Sequence, residues 1–156
     1  MATDMRFESE LAASPEELWR WMLSPEGIRR ELWPLIRMGT PRGLRSLDDL
    51  DITPGKPLFR SIIWLGGVLP MDYSHVTLLE IDKGRGFLEQ SPMGSMKQWR
   101  HERRIEPIEN GCRLIDQVSF EPRFAGPLVR WFAKQLFRNR HRVLRDEFGV
   151  LDSQSV

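Results

Sequence analysis

The stretch from Trp99 to Phe120 sets three ionisable side chains, His101, Arg103 and Asp116, at alternate positions among large apolar ones. Arginine presents a planar fork of donors suited to a carboxylate, phenolate or carbonyl oxygen, and histidine titrates near neutrality. Together these groups suit the polar end of a ligand site. They also suit catalysis, with His101 or Asp116 as general base in an aldol or dehydration step. A third reading is structural: Arg103 and Asp116 form an ion pair that satisfies a partly buried carboxylate. The residues leave these three open.

Alternation on both sides of Asn110-Gly111 predicts a β-hairpin, because both residues tolerate the positive φ angles of a tight turn. With Asn110 and Gly111 as the loop, Glu109 faces Cys112, Ile105 faces Asp116, Arg103 faces Val118 and His101 faces Phe120. One face then carries Trp99, His101, Arg103, Ile105, Leu114, Asp116, Val118 and Phe120. Apolar residues with a few ionisable ones are the usual lining of a ligand pocket. The opposite wall comes from the pattern after the hairpin. Gly126 to Phe148 reads as one helix of about 30 Å, with Pro127 tolerated in its first turn. Its expected inner stripe is Val129, Phe132, Leu136, Arg140, Val143, Leu144 and Phe148, and its solvated stripe is Arg130, Lys134, Arg138, Arg142 and Arg145.

The expected ligand-binding set is therefore Trp99, His101, Arg103, Asp116, Phe120, Phe132 and Leu136, with Met96 and Trp131 as further lining. Aromatic residues on an amphipathic helix also make plain core. His75 and Tyr73 are further polar candidates, from a strand whose inward face the pattern does not decide. The basic run Arg138 to Arg142 splits between helix faces and reads as solvated surface rather than a membrane or phosphate contact.

The rest of the chain supplies the frame. Residues 4–11 alternate as a half-buried strand. Ser14-Pro15-Glu16-Glu17 and Ser24-Pro25-Glu26 each read as a capped helix start, and Pro34 ends the second helix. From Leu35 to Asp51 a short strand and a loop are expected. Pro57–Leu65, Met71–Ile81 and Phe87–Ser91 read as strands.

A chain of 156 residues fits a single domain spanning 1–156. Net charge +1 with interspersed acids and bases argues against a nucleic-acid binder. With Cys112 the only cysteine, neither an intrachain disulfide nor a cysteine zinc site can form, and an inert thiol is expected there. The three histidines are not at ligand spacing and no phosphate-binding loop is present, so neither metal nor cofactor is expected. No secretory signal or spanning segment is evident, which points to a cytoplasmic protein without stable membrane association. The expected partner is a small hydrophobic or amphipathic molecule.

One strand, two short helices, a run of antiparallel strands and one long C-terminal helix is the order of an α+β helix-grip fold, a curved antiparallel sheet wrapped around that helix. The residues also carry a resemblance. Phe87 and Glu89 align with a Phe-x-Asp, Gly94-Ser95-Met96 with a Gly-Pro-Phe, and Trp99, His101, Arg103 and Ile105 with a Trp-x-His-x-His-x-Phe pattern. Gly111, Cys112, Leu114, Asp116, Val118 and Phe120 align with the following strand, and Phe137, Arg140 and His141 with a Phe-x-x-Arg-His helix. The chain thereby resembles the START-like, or SRPBCC, superfamily, and within it the small bacterial domains of polyketide-cyclase and CoxG type. The resemblance implies a ligand cavity between sheet and helix. Arg103 in place of the second histidine, and Glu89 in place of aspartate, change the polar end of that cavity.

Overall fold

The computed structural model describes residues 2–50 and 52–151. Its elements run β1 (Thr3–Leu11), α1 (Pro15–Leu23), α2 (Pro25–Leu32), β2 (Ile36–Met38), β3 (Pro57–Leu65), β4 (Leu69–Asp82), β5 (Gly86–Gln90), β6 (Met96–Ile108), β7 (Gly111–Pro122) and α3 (Gly126–Phe148). The strands form one antiparallel sheet in the order β1-β7-β6-β5-β4-β3-β2. Both short helices start as their capping residues dictate: the Glu17 N–H donates to Ser14 Oγ and the Gly27 N–H to Ser24 Oγ. Asp51, the last residue of the expected loop, lies outside the described residues.

Alternation decides the concave face. Phe7, Ser9 and Leu11 of β1 stand opposite Asp116, Leu114 and Cys112 of β7, and all six point inward. On β4 the undecided face resolves to Ser74, Val76 and Leu78. An irregularity between Leu78 and Glu80 then switches the alternation, so that Ile81 joins the core. Tyr73 points outward and lies edge-on to His75.

The hairpin register differs from the expectation by two residues. Ile108 pairs with Gly111, which sets Ile105 opposite Leu114, Arg103 opposite Asp116, His101 opposite Val118 and Trp99 opposite Phe120. Glu109 and Asn110 make the turn, and only Asn110 takes a positive φ, 67°. A two-residue shift preserves the pleat, so every side chain stays on its predicted face. Gly111 serves close approach instead. A Cβ built there would lie 2.0 Å from the Leu11 carbonyl oxygen.

α3 presents Ala133, Leu136, Phe137, His141 and Leu144 to the sheet. The buried stripe is rotated from the expected one: Phe137 and His141 lie inside, while Phe132 and Val143 are only half-buried. The rotation follows from a second neighbour. α3 also packs on α2, where Asn139 Nδ2 donates to the carbonyls of Glu31 at 2.8 Å and Trp33 at 3.0 Å. Trp131, expected in the lining, is 58% exposed. Arg145, expected in solvent, turns in to donate to Ser9 Oγ at 3.1 Å.

Gly111→Ala is expected to lower stability by about 2 kcal/mol or more, because β1 and β7 must part at their paired ends. Urea unfolding of the variant beside the parent protein measures this.

Candidate functional site

The site is built on the central β6–β7 pair. Arg103 and Asp116 are direct cross-strand partners, and the guanidinium binds the carboxylate side-on, Nε to Oδ1 at 2.8 Å and Nη2 to Oδ2 at 2.9 Å. Its other edge meets Glu31 from α2, Nη2 to Oε1 at 2.8 Å and Nη1 to Oε2 at 3.2 Å. One arginine is thus held in the fork of two carboxylates, all three side chains being within 1% of full burial.

Each carboxylate is then saturated by its other neighbours. Glu31 also accepts from Arg140 Nε at 2.9 Å and from the Trp21 indole N–H at 2.8 Å. Asp116 also accepts from His101 Nε2 and His141 Nε2, both at 2.7 Å. His141 Nδ1 lies 2.7 Å from Ser9 Oγ, which also accepts from Arg145 Nη1. The second ring nitrogen of His101 lies 3.6 Å from Glu89 Oε1, while Glu89 Oε2 accepts from Ser91 Oγ at 2.6 Å. The His101 ring is wedged edge-on against Phe137 and Phe87.

Burial by itself pushes the carboxyl pKa values up; here the paired cations overcome it. Arg103 and Arg140 hold Glu31 down at about 2. Arg103 and the two histidines hold Asp116 well below the usual carboxylate range. His101, Ser91 and Arg140 lower Glu89. Arg103 is correspondingly pushed up by Asp116 and Glu31 against its own burial. Burial, together with Glu17, raises the Cys112 thiol to about 11, which makes it inert.

Beside this network lies a cavity of about 100 Å³ between the sheet, α1, α2 and α3. Its wall is apolar, with Met22, Leu32, Val76, Leu78 and Phe87, and one end is polar, formed by Glu89, His101, Arg103 and Arg140. Of the seven residues predicted to bind ligand, His101 and Arg103 line this space. Asp116 sits behind them, Trp99 and Phe120 pack around Phe137, and Phe132 and Leu136 pack with Leu32, Ile36 and Ile63. A wider depression of about 490 Å³ lies on the convex face, lined by Asp4, Arg6, Arg100, Glu102, Gln117 and Ser119, with the sheet between it and the network.

Sequence reasoning passed over Glu31 and His141 as site residues. The signal for Glu31 was its place between Ile28 and Leu32 on the inner side of α2. For His141 it was the spacing Phe137, His141, Leu144, four residues and then three, which is a helix face.

A family model described as a domain of unknown function, DUF8410, matches residues 9–148, from β1 to the end of α3. The chain belongs to DUF8410. No curated protein matches its sequence. Among solved structures, this DUF8410 chain is similar to protein CV1439 from Chromobacterium violaceum, with a TM-score of 0.66 and 15% identity over 90% of this chain and 96% of that one. It is also similar to Ara h 8.0201, with a TM-score of 0.58 and 12% identity over 94% and 99%. A third likeness is DynU16, a protein of the dynemicin biosynthetic locus, with a TM-score of 0.60 and 13% identity over 96% of this chain and 50% of that one. At such identities the likeness establishes the fold, which is the helix-grip fold expected from the element order.

The depressed carboxyl pKa values set a pH dependence. A carboxyl group whose folded pKa is lowered contributes stability that is fully present above its ordinary value, 4.5 for glutamate, and is lost as pH falls toward the folded value, about 2 for Glu31. Stability is therefore expected to fall steeply between pH 4.5 and 2. Glu31→Gln, which leaves Arg103 and Arg140 without their shared anion, is expected to cost on the order of 3 kcal/mol at pH 7. It also flattens the acid limb. Urea midpoints across the pH range, compared between variant and parent, read both effects.

Proposed function

We propose that the protein binds a small hydrophobic or amphipathic molecule in the cavity between the curved sheet and α3. The observation that carries this reading is an apolar space with one polar end. The polar end is selective in what it offers. Arg103 and Asp116 are already committed to each other and to Glu31 and the histidines, so a ligand meets chiefly Arg140 and Glu89. Arg140 gives only its Nε to Glu31, which leaves its terminal nitrogens as donors, while Glu89 is an acceptor. A ligand with an apolar body and a polar end that both accepts and donates matches this pair. The 100 Å³ volume is below the 300–1,000 Å³ usual for drug-sized ligands, so the body holds few heavy atoms unless Met22 and Met38 move aside.

A second reading, a cyclase- or dehydratase-like reaction, is favoured by one observation: His101 borders the cavity and its far nitrogen is held by Asp116, the arrangement of an oriented general base. The small-molecule reading does not require it. Aromatic polyketide turnover lost in His101→Asn, with binding retained, supports catalysis; turnover equal in the two proteins removes it.

Thermal-shift and native mass spectrometry with short fatty acids and aromatic polyketides test the binding reading. A ligand at a hundred times its Kd is expected to raise Tm by roughly 5–10 °C. Val76→Trp, which fills the cavity, is expected to abolish that rise while urea unfolding stays cooperative. No shift with any compound, or a shift unaltered in Val76→Trp, overturns it.

A further inference from the structure

Exposed large apolar side chains gather at one end of the molecule. The strand pairings define that end: Leu65 pairs with both Ile36 and Leu69, the Gly94 N–H donates to the Tyr73 carbonyl, and Met96 pairs with Pro122. The β3–β4 turn, the end of β7 and the start of α3 therefore lie together. Leu136 of α3, clustered with Ile36 and Ile63 and flanked by Phe132, joins the helix to the β2–β3 edge. At this end stand Trp33, Val68 and Leu69, and on the α3 side Phe124, Leu128 and Trp131, which are 65%, 64% and 58% exposed.

Charge separates this end from an ordinary sticky patch. From Pro122 to Arg145 the chain contains no aspartate or glutamate, and the outward face of α3 continues from Leu128 and Trp131 into Lys134 and Arg138. Among the described residues, neither of these two cations has a carboxylate partner. Aromatic and aliphatic side chains flanked by unpaired cations are what an interfacial helix presents to lipid. A second copy of this chain would bring the same positive charge against itself. No described helix is long and apolar enough to cross a bilayer, so the contact is peripheral.

We propose that this end is a docking surface for an anionic lipid bilayer. Phe124, Leu128 and Trp131 enter the headgroup layer, and Lys134 and Arg138 meet lipid phosphates. Such contacts are reversible and weaken with salt. The proposal does not depend on what the cavity holds.

The test uses the full chain with vesicles of phosphatidylcholine alone and of phosphatidylcholine mixed with phosphatidylglycerol. Co-sedimentation with the anionic vesicles, a blue shift of tryptophan fluorescence and release by added salt are the expected results. Lys134→Glu/Arg138→Glu is expected to weaken binding at least about tenfold, each cation near an anionic surface contributing about a fivefold factor. Leu128→Ser/Trp131→Ser is expected to do the same with Tm unchanged, since those side chains are exposed. Absence of binding to anionic vesicles at low salt overturns the proposal, as does binding retained by both double variants. A dimer that Leu128→Ser/Trp131→Ser dissociates, in a protein that ignores vesicles, assigns the surface to a second copy and overturns it too.

Discussion

The guanidinium of Arg103, clamped between Asp116 and Glu31, is the interaction on which the rest of the interior depends. A lone charge in that position would be prohibitive, and two carboxylates around one arginine would leave an excess of negative charge. Arg140 supplies the balance from α3 through Glu31, while His101 and His141 complete the shell of Asp116. The network therefore ties β6 and β7 to α2 and α3 at once. A buried network of this kind adds little stability over an apolar core of equal volume. What it imposes is position: a slip of α2 along α3, or of β6 along β7, would strand a carboxylate in a dry interior.

Saturation of the network also decides what is left for chemistry. Four of the five N–H donors of Arg103 go to Asp116 and Glu31, which leaves one, on Nη1, for any further partner. Polar capacity is greatest at the edge of the network, where Arg140 and Glu89 face the cavity and the apolar wall begins. Of the residues that drew notice in the sequence, Asp116 stands behind the cavity wall and His101 and Arg103 form part of its polar end beside Arg140 and Glu89. The apolar, cationic end of the molecule is a separate consequence of the same helix: α3 turns Phe137 and His141 inward, so Leu128, Trp131, Lys134 and Arg138 must face out.

Local signals settled much of the architecture. Ser14 and Ser24 mark helix starts because their hydroxyls accept the free N–H groups of a first turn, a property of the tetrapeptide itself. The inward faces of β1, β6 and β7 follow from period-two alternation, and the extent of α3 from a long run free of helix breakers. The position of His101, Arg103 and Asp116 on one concave face was legible for the same reason. The hairpin register was not, because Gly111 looks like a turn glycine while its role is to let the Leu11 carbonyl approach.

The sequence by itself determined the order of elements, the helix-grip architecture and a polar group on the inner face of the hairpin, since each depends on neighbours in the chain. Only the tertiary structure decided who pairs with whom. Glu31 stands 72 residues from Arg103, and His141 stands 132 from Ser9, distances over which no periodicity carries information. The same holds for the inward face of β4, which turns on one irregularity, and for the rotation of α3, which is set by α2 as well as by the sheet. Whether an ionisable side chain is a free functional group or a spent structural one depends on partners that only folding brings near.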